Sequence, residues 1–173
     1  HRIARRQRQM CIRDSNGTLR VTYGNVSGVE LKDGVYFKPF TTLEGIAEKH
    51  SGQKPFNVGN KLLNKISEKD YGDYYFKPID SVPVNFISTL DITNGNSGSA
   101  TINADFHLVG LAFDGMLETI IADYKYIPEA RSISVDSRYL LWTLEKIEKA
   151  DNILEELTIV NSVSYTHLRA HET

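Results

Sequence analysis

Apolar positions alternate with polar ones in some stretches of this chain and recur every three to four residues in others. The first rhythm predicts strands and the second helices. Leu19, Val21 and Tyr23 alternate with polar neighbours, so Thr18 to Gly24 predicts a strand. Val35-Tyr36-Phe37 follows the turn signal Asp33-Gly34, which predicts a hairpin. Thr41-Thr42-Leu43-Glu44 fits a capping box and predicts a short helix running to about Lys49. Ser51-Gly52-Gln53-Lys54-Pro55 ends it. Leu62, Leu63 and Ile66 give Lys61 to Lys69 a helical face. Val84, Phe86, Ser88 and Leu90 share one face of a strand, and a polar loop from Asp91 to Ser99 follows. Ala100 to Ile102 opens the next strand. Leu108 to Phe113 is an apolar run of the kind a buried strand carries. Ile120 to Ile127 and Ser132 to Val135 predict two more strands. Leu140, Leu141, Leu144 and Ile147 then mark an amphipathic helix from about Ser137 to Lys149, with a last turn over Ile153 to Leu157. The pattern is a strand-rich core with two short helices inserted early and a helix packed on at the end. Trp142, on that last helix, reads as core packing.

Both ends break the pattern. Residues 1–15 (HRIARRQRQMCIRDS) and 163–173 (VSYTHLRAHET) lack apolar periodicity and differ in composition from the middle. They resemble translated sequencing-adapter sequence, and such segments are set aside before a fold is argued. That leaves 16–162 as the folded unit. The rival reading is a basic arm for nucleic acid, built on Arg2, Arg5, Arg6 and Arg8.

Composition sharpens this. The chain has 173 residues, 40% of them hydrophobic and 24% charged, which suits one core-forming domain and excludes compositional disorder. No apolar run reaches the roughly 18 residues that a membrane span needs. Without the two ends, 14 basic and 20 acidic residues remain, a net charge of −6. A nucleic-acid footprint needs a basic face, so none is expected. Cys11 leaves with the N-terminal stretch, and only His50 and His107 remain of five histidines. No metal site and no cofactor are expected from such a set.

Chemistry concentrates in the loop Gly95-Asn96-Ser97-Gly98-Ser99. A serine nucleophile needs its hydroxyl on a tight turn, which flanking glycines permit. Acyl transfer also needs backbone N–H groups that converge on the developing oxyanion. Taken alone, the same five residues are ordinary polar turn chemistry. Asp114, in Asp114-Gly115, likewise reads by itself as a turn residue. Asp91 stands six residues before Ser97, where an acid would favour a basic substrate.

The order of these stretches carries a resemblance. Strand, Gly-Asn-Ser-Gly-Ser, strand, then Leu108-Val109-Gly110-Leu111-Ala112-Phe113-Asp114-Gly115 is the order of the second barrel of chymotrypsin-fold proteases. Val21-Thr22-Tyr23-Gly24, Asp33-Gly34-Val35-Tyr36, Thr41 to Gly45, Pro83 to Phe86, Asp91-Ile92-Thr93 and Ser132 to Asp136 running into Arg138 to Leu141 extend it. Over nearly all of residues 18–160 the chain resembles the bacterial dipeptidyl peptidases 7 and 11.

The resemblance implies a mainly β fold, the C-terminal β-barrel of a double-barrel serine protease. It implies Ser97 as nucleophile and Gly95 as an oxyanion-hole donor, with the Ser97 N–H. It implies Asp114 as the residue that holds the peptide's free α-amino group and Gly115 as the specificity position. Family members with Arg at that position prefer acidic residues, and those with Gly prefer aliphatic or aromatic ones. The catalytic His and Asp would come earlier, on a first barrel outside this chain, so the fragment by itself is expected to be inactive. His50 and His107 are poor candidates for that role. The implied partners are peptide substrates and the missing N-terminal barrel and helical domain. A homodimer of the full enzyme and a periplasmic or cell-surface location in a bacterium also follow from it. The sequence departs from the family pattern at Asn94, at Ala100 and over Met116 to Ala122, which bears on the pocket rim. An endopeptidase of the glutamyl-endopeptidase type, or a non-catalytic barrel used for binding, would fit the same loop.

Overall fold

A computed structural model describes residues 20–93, 95–121, 124–125 and 127–160. The two adapter-like ends lie outside the described residues, as do Thr18, Leu19 and Asn94. The chain builds a mainly antiparallel sheet. Strands β1 (Val29–Lys32) and β2 (Val35–Phe37) form a hairpin, and Gly34 supplies the positive φ of 76° that its turn requires. β3 (Phe40–Thr42), β4 (Pro83–Ser88), β5 (Ala100–Ile102), β6 (Leu108–Gly115) and β7 (Ser132–Asp136) form a five-stranded sheet in the order β3-β4-β7-β6-β5. Every pairing in it is antiparallel.

One face of this sheet packs small and polar groups. Val84, Phe86 and Ser88 of β4 and Ser132, Ser134 and Asp136 of β7 are all buried. The expected β4 face is therefore present, but on β7 the serines point inward while Ile133 and Val135 are half-buried. Buried hydroxyls need partners. Ser88 and Ser132 pair at 2.6 Å, and Ser134 pairs with Thr101 at 3.2 Å. Asp136 caps the following helix by accepting the Arg138 N–H at 2.9 Å, and it also accepts the Arg138 guanidinium at 2.7 Å. That guanidinium lies 4.2 Å from the centroid of the Phe76 ring. The run Ser132 to Arg138 thus closes the sheet and starts the helix together.

A second core lies among the helices. α1 (Leu43–Glu48), α2 (Asn60–Ser67) and α3 (Ser137–Trp142) contribute Leu43, Ile66 and Trp142, joined by Tyr74, Val82, Val84 and Ile147. Trp142 is fully buried, and its indole N–H donates to the Asp70 carbonyl at 2.8 Å. Core packing is its role, as its helical spacing predicts. The last helix continues as a π-helical stretch from Thr143–Glu148 and ends in α4 (Asp151–Leu154).

Four local expectations change. Residues 20–25 form no strand: Val21 and Tyr23 are 79% and 92% exposed. Backbone bonds between Asn25 or Ser27 and the end of β4 hold this segment, so its alternation does not report burial. Leu108 to Phe113 is a strand but not a buried run, because Leu108 and Phe113 are exposed at its two ends. The described residues of the Ile120 to Ile127 stretch form no strand. A 3-10 turn, Leu117–Ile121, takes its start, and Ile120, Ile121 and Tyr124 face solvent. The capping box does not form either. The N-cap is Thr42 without a side-chain bond, and Thr41 Oγ1 instead accepts the Asn85 N–H at 3.1 Å.

Glu44, freed from capping, ties α1 to the loop before β4. Its carboxylate accepts Ser81 Oγ at 2.5 Å and the Tyr71 hydroxyl. Burial opposes its charged form, but the Ser81 and Tyr71 bonds outweigh burial and hold its pKa below the usual 4.5. Burial and the bond to Glu44 push Tyr71 up to about 12. A carboxyl with a lowered folded pKa stabilises the fold above its unfolded pKa, and this stability is lost as pH falls through the folded value. The urea midpoint of the folded protein is therefore expected to fall on acidification below about pH 4.5. Glu44→Gln should remove that part of the pH dependence and cost about 1–3 kcal/mol at neutral pH.

Candidate active site

The loop between β4 and β5 is fixed by its own backbone and by β6. Asn96 Oδ1 accepts the Thr93 N–H at 2.7 Å, and the Asn96 N–H returns to the Thr93 carbonyl at 3.2 Å. The Ser99 N–H donates to the Asn96 carbonyl at 2.9 Å. The Gly98 N–H reaches across to the Ala112 carbonyl at 2.7 Å, and the Ala112 N–H returns to Ser99 at 2.9 Å. Gly95 and Gly98 take φ of 96° and 87°, a region that side chains disfavour. Glycine is therefore required at both bends.

This arrangement sets Ser97 on the outside of the turn. It is exposed, and its hydroxyl donates to the Phe113 carbonyl at 3.1 Å. Within the loop the N–H groups of Asn96, Gly98 and Ser99 are used. Among the described residues, those of Gly95 and Ser97 donate to nothing. Gly95 and Ser97 are also the two donors that the resemblance implies.

Asp114 and Gly115 follow Phe113 directly on β6. The expected course from Ser97 out along β5, around a turn at Asn103 and back along β6 is the observed one. A bulge between Ala112 and Asp114 shifts the β6–β7 register at this point. The Asp114 carboxylate is exposed and accepts the Gly115 N–H through Oδ1 at 2.8 Å. It forms no ion pair among the described residues.

The space over Gly115 is occupied. A Cβ built there would lie 2.9 Å from Cγ2 of Thr119 and 3.0 Å from its Cβ, with Oγ1 closer still. Sequence reasoning missed Thr119 because it read Ile120 onward as a strand. The turn over Leu117–Ile121 instead folds the chain back on itself, so a residue four positions on returns over Gly115.

The other candidates serve structure. His50 Nδ1 accepts the Val58 N–H at 2.9 Å, and the His107 N–H closes the β5–β6 turn onto Asn103 at 2.9 Å. Neither histidine is bonded to Ser97. The Asp91 N–H donates to Thr22 Oγ1 at 3.0 Å, and its side chain is exposed. Among the described residues no cluster of three or more His, Cys, Asp or Glu could hold a metal ion, and no helix is long and apolar enough to cross a membrane.

The site is thus an exposed serine on a glycine-bounded turn between antiparallel strands of a mainly β scaffold, beside two N–H groups that donate to nothing among the described residues. The chain belongs to the Peptidase S46 family, whose pattern matches residues 2–159. It is 42% identical to an Asp/Glu-specific dipeptidyl-peptidase of Shewanella putrefaciens, over 86% of this chain and 23% of that protein. It is also 42% identical to a dipeptidyl-peptidase 7 of Phocaeicola vulgatus, over 85% of this chain and 20% of that protein. Among solved structures, Porphyromonas endodontalis DPP11 in complex with the dipeptide Arg-Asp superposes with a TM-score of 0.78 at 38% identity. That match covers 82% of this chain and 21% of the other. The chain therefore spans about a fifth of the length of its relatives.

Proposed function

We propose that this segment carries the nucleophile of a serine dipeptidyl peptidase, which releases dipeptides from the N-termini of peptides and prefers apolar residues at the cleaved position. The observation that carries this reading is the Ser97 turn, which presents the hydroxyl outward and in which the Gly95 and Ser97 N–H groups donate to nothing among the described residues. In the reaction, Ser97 Oγ attacks the peptide carbonyl and its proton passes to a histidine supplied from outside this segment. The N–H groups of Gly95 and Ser97 hold the tetrahedral oxyanion, each donor being worth about 3–4 kcal/mol. The C–N bond then breaks, the amine leaves with the proton, and water hydrolyses the acyl-enzyme. Asp114 meets the free α-ammonium, which fixes the cut two residues in.

Gly115 supports the apolar preference because it brings no cation to face an acidic side chain. Relatives of both kinds, Asp/Glu-specific dipeptidyl-peptidases and dipeptidyl-peptidases 7, lie at similar identity. The full-length protein works in the periplasm or at the cell surface of a bacterium in this reading.

The test is a panel of fluorogenic dipeptides with Leu, Phe, Asp or Glu at the cleaved position, each with a free or an acetylated amino end. The full-length enzyme should cleave the free Leu and Phe substrates best and reject the acetylated ones. The 173-residue chain alone should cleave none, because Ser97 lacks its base. Preference for Asp and Glu would overturn the assigned specificity. Cleavage of the acetylated substrates would make the enzyme an endopeptidase.

A further inference from the structure

We propose that Thr119 is a specificity-determining residue of the Ser97 site, filling the space over Gly115 that a side chain at 115 would otherwise take. The proposal rests on the reading of Ser97 as the nucleophile. Three observations place Thr119 there. Its side-chain atoms all stand within contact of a Cβ built on Gly115. Its hydroxyl donates to the Met116 carbonyl at 2.6 Å, and its N–H donates to the same carbonyl at 2.9 Å, so its rotamer is held. Met116 is itself anchored, its N–H donating to the Arg131 carbonyl at 2.9 Å. The turn is therefore tied to the strand entrance beyond it, and Thr119 cannot swing away without breaking bonds.

Positions 115 and 119 then share one volume, only a few residues along the strand from the Phe113 carbonyl that Ser97 touches. A larger side chain at 115 has to displace Thr119. A smaller one at 119 opens room for the substrate beside Gly115. Gaining or losing one methylene-sized group against a bound substrate side chain changes discrimination by roughly 10-fold or more.

The test measures kcat/KM of the full-length enzyme on free dipeptidyl substrates ending in Leu, Phe or Glu. The variants are Thr119→Ala, Thr119→Val, Gly115→Arg and the Gly115→Arg/Thr119→Ala double variant. Thr119→Ala should raise the Phe-to-Leu ratio roughly 10-fold. Thr119→Val keeps the shape, loses the hydroxyl and should leave that ratio near the parent value. The double variant should cleave the Glu substrate roughly 10-fold better than Gly115→Arg alone, because only then does the guanidinium have space. An unchanged profile in Thr119→Ala, or strictly additive effects in the double variant, would overturn the proposal. Activity that survives Ser97→Ala would instead overturn the reading beneath it, so the two failures are distinguishable.

Discussion

Replacing Ser97 by alanine in the full-length enzyme is expected to lower kcat/KM by about 10⁴- to 10⁶-fold. The loss should lie in kcat, because substrate binding does not depend on the hydroxyl. The residue is exposed and its hydroxyl spends its hydrogen bond on the Phe113 carbonyl, so the change removes no core contact. The turn is held by Asn96, Gly98 and Ser99 and survives without the side chain. A melting temperature that stays constant while activity disappears would separate chemistry from folding. Retained activity would move the nucleophile elsewhere.

Asp114→Asn is the second large effect. Truncating one partner of a desolvated charge pair costs about 2–5 kcal/mol, or roughly 30- to 5,000-fold in kcat/KM. Asparagine is the informative choice, since its amide oxygen can still accept the Gly115 N–H that Asp114 holds at 2.8 Å. Only the charge then changes. Substrates with a free amino end should lose most of their cleavage. Equal kinetics in the parent and Asp114→Asn would remove Asp114 from the recognition of the α-ammonium.

Where the sequence pattern matched the fold, one physical cause dominated each element. The Asp33-Gly34 turn, α2 and β4 each follow from glycine geometry or from a single buried face. The misreadings have a different origin. Val21, Tyr23, Ile120 and Ile121 are apolar yet exposed, so their hydrophobicity does not report burial. The strand over Ser132 to Val135 forms as expected, with an inward face of small hydroxyl groups that pair with partners on neighbouring strands. Glu44 satisfied a helix-start motif on paper, but Ser81 and Tyr71, 37 and 27 residues away, competed for its carboxylate and won. Ser97, Gly95, Asp114 and Gly115 were singled out in the sequence because their order along the chain resembles the family pattern. Thr119 was not, because its position depends on a turn whose apolar residues imitate a strand.

The most direct measurement is to label the full-length enzyme with a fluorophosphonate and to map the modified residue by peptide mass spectrometry. An activated serine attacks such a reagent at phosphorus and expels fluoride, leaving a stable phosphonyl ester. The account predicts one stoichiometric adduct, on Ser97, with loss of all dipeptidyl peptidase activity in parallel. An adduct on any other serine, or full inactivation with Ser97 unmodified, would contradict it.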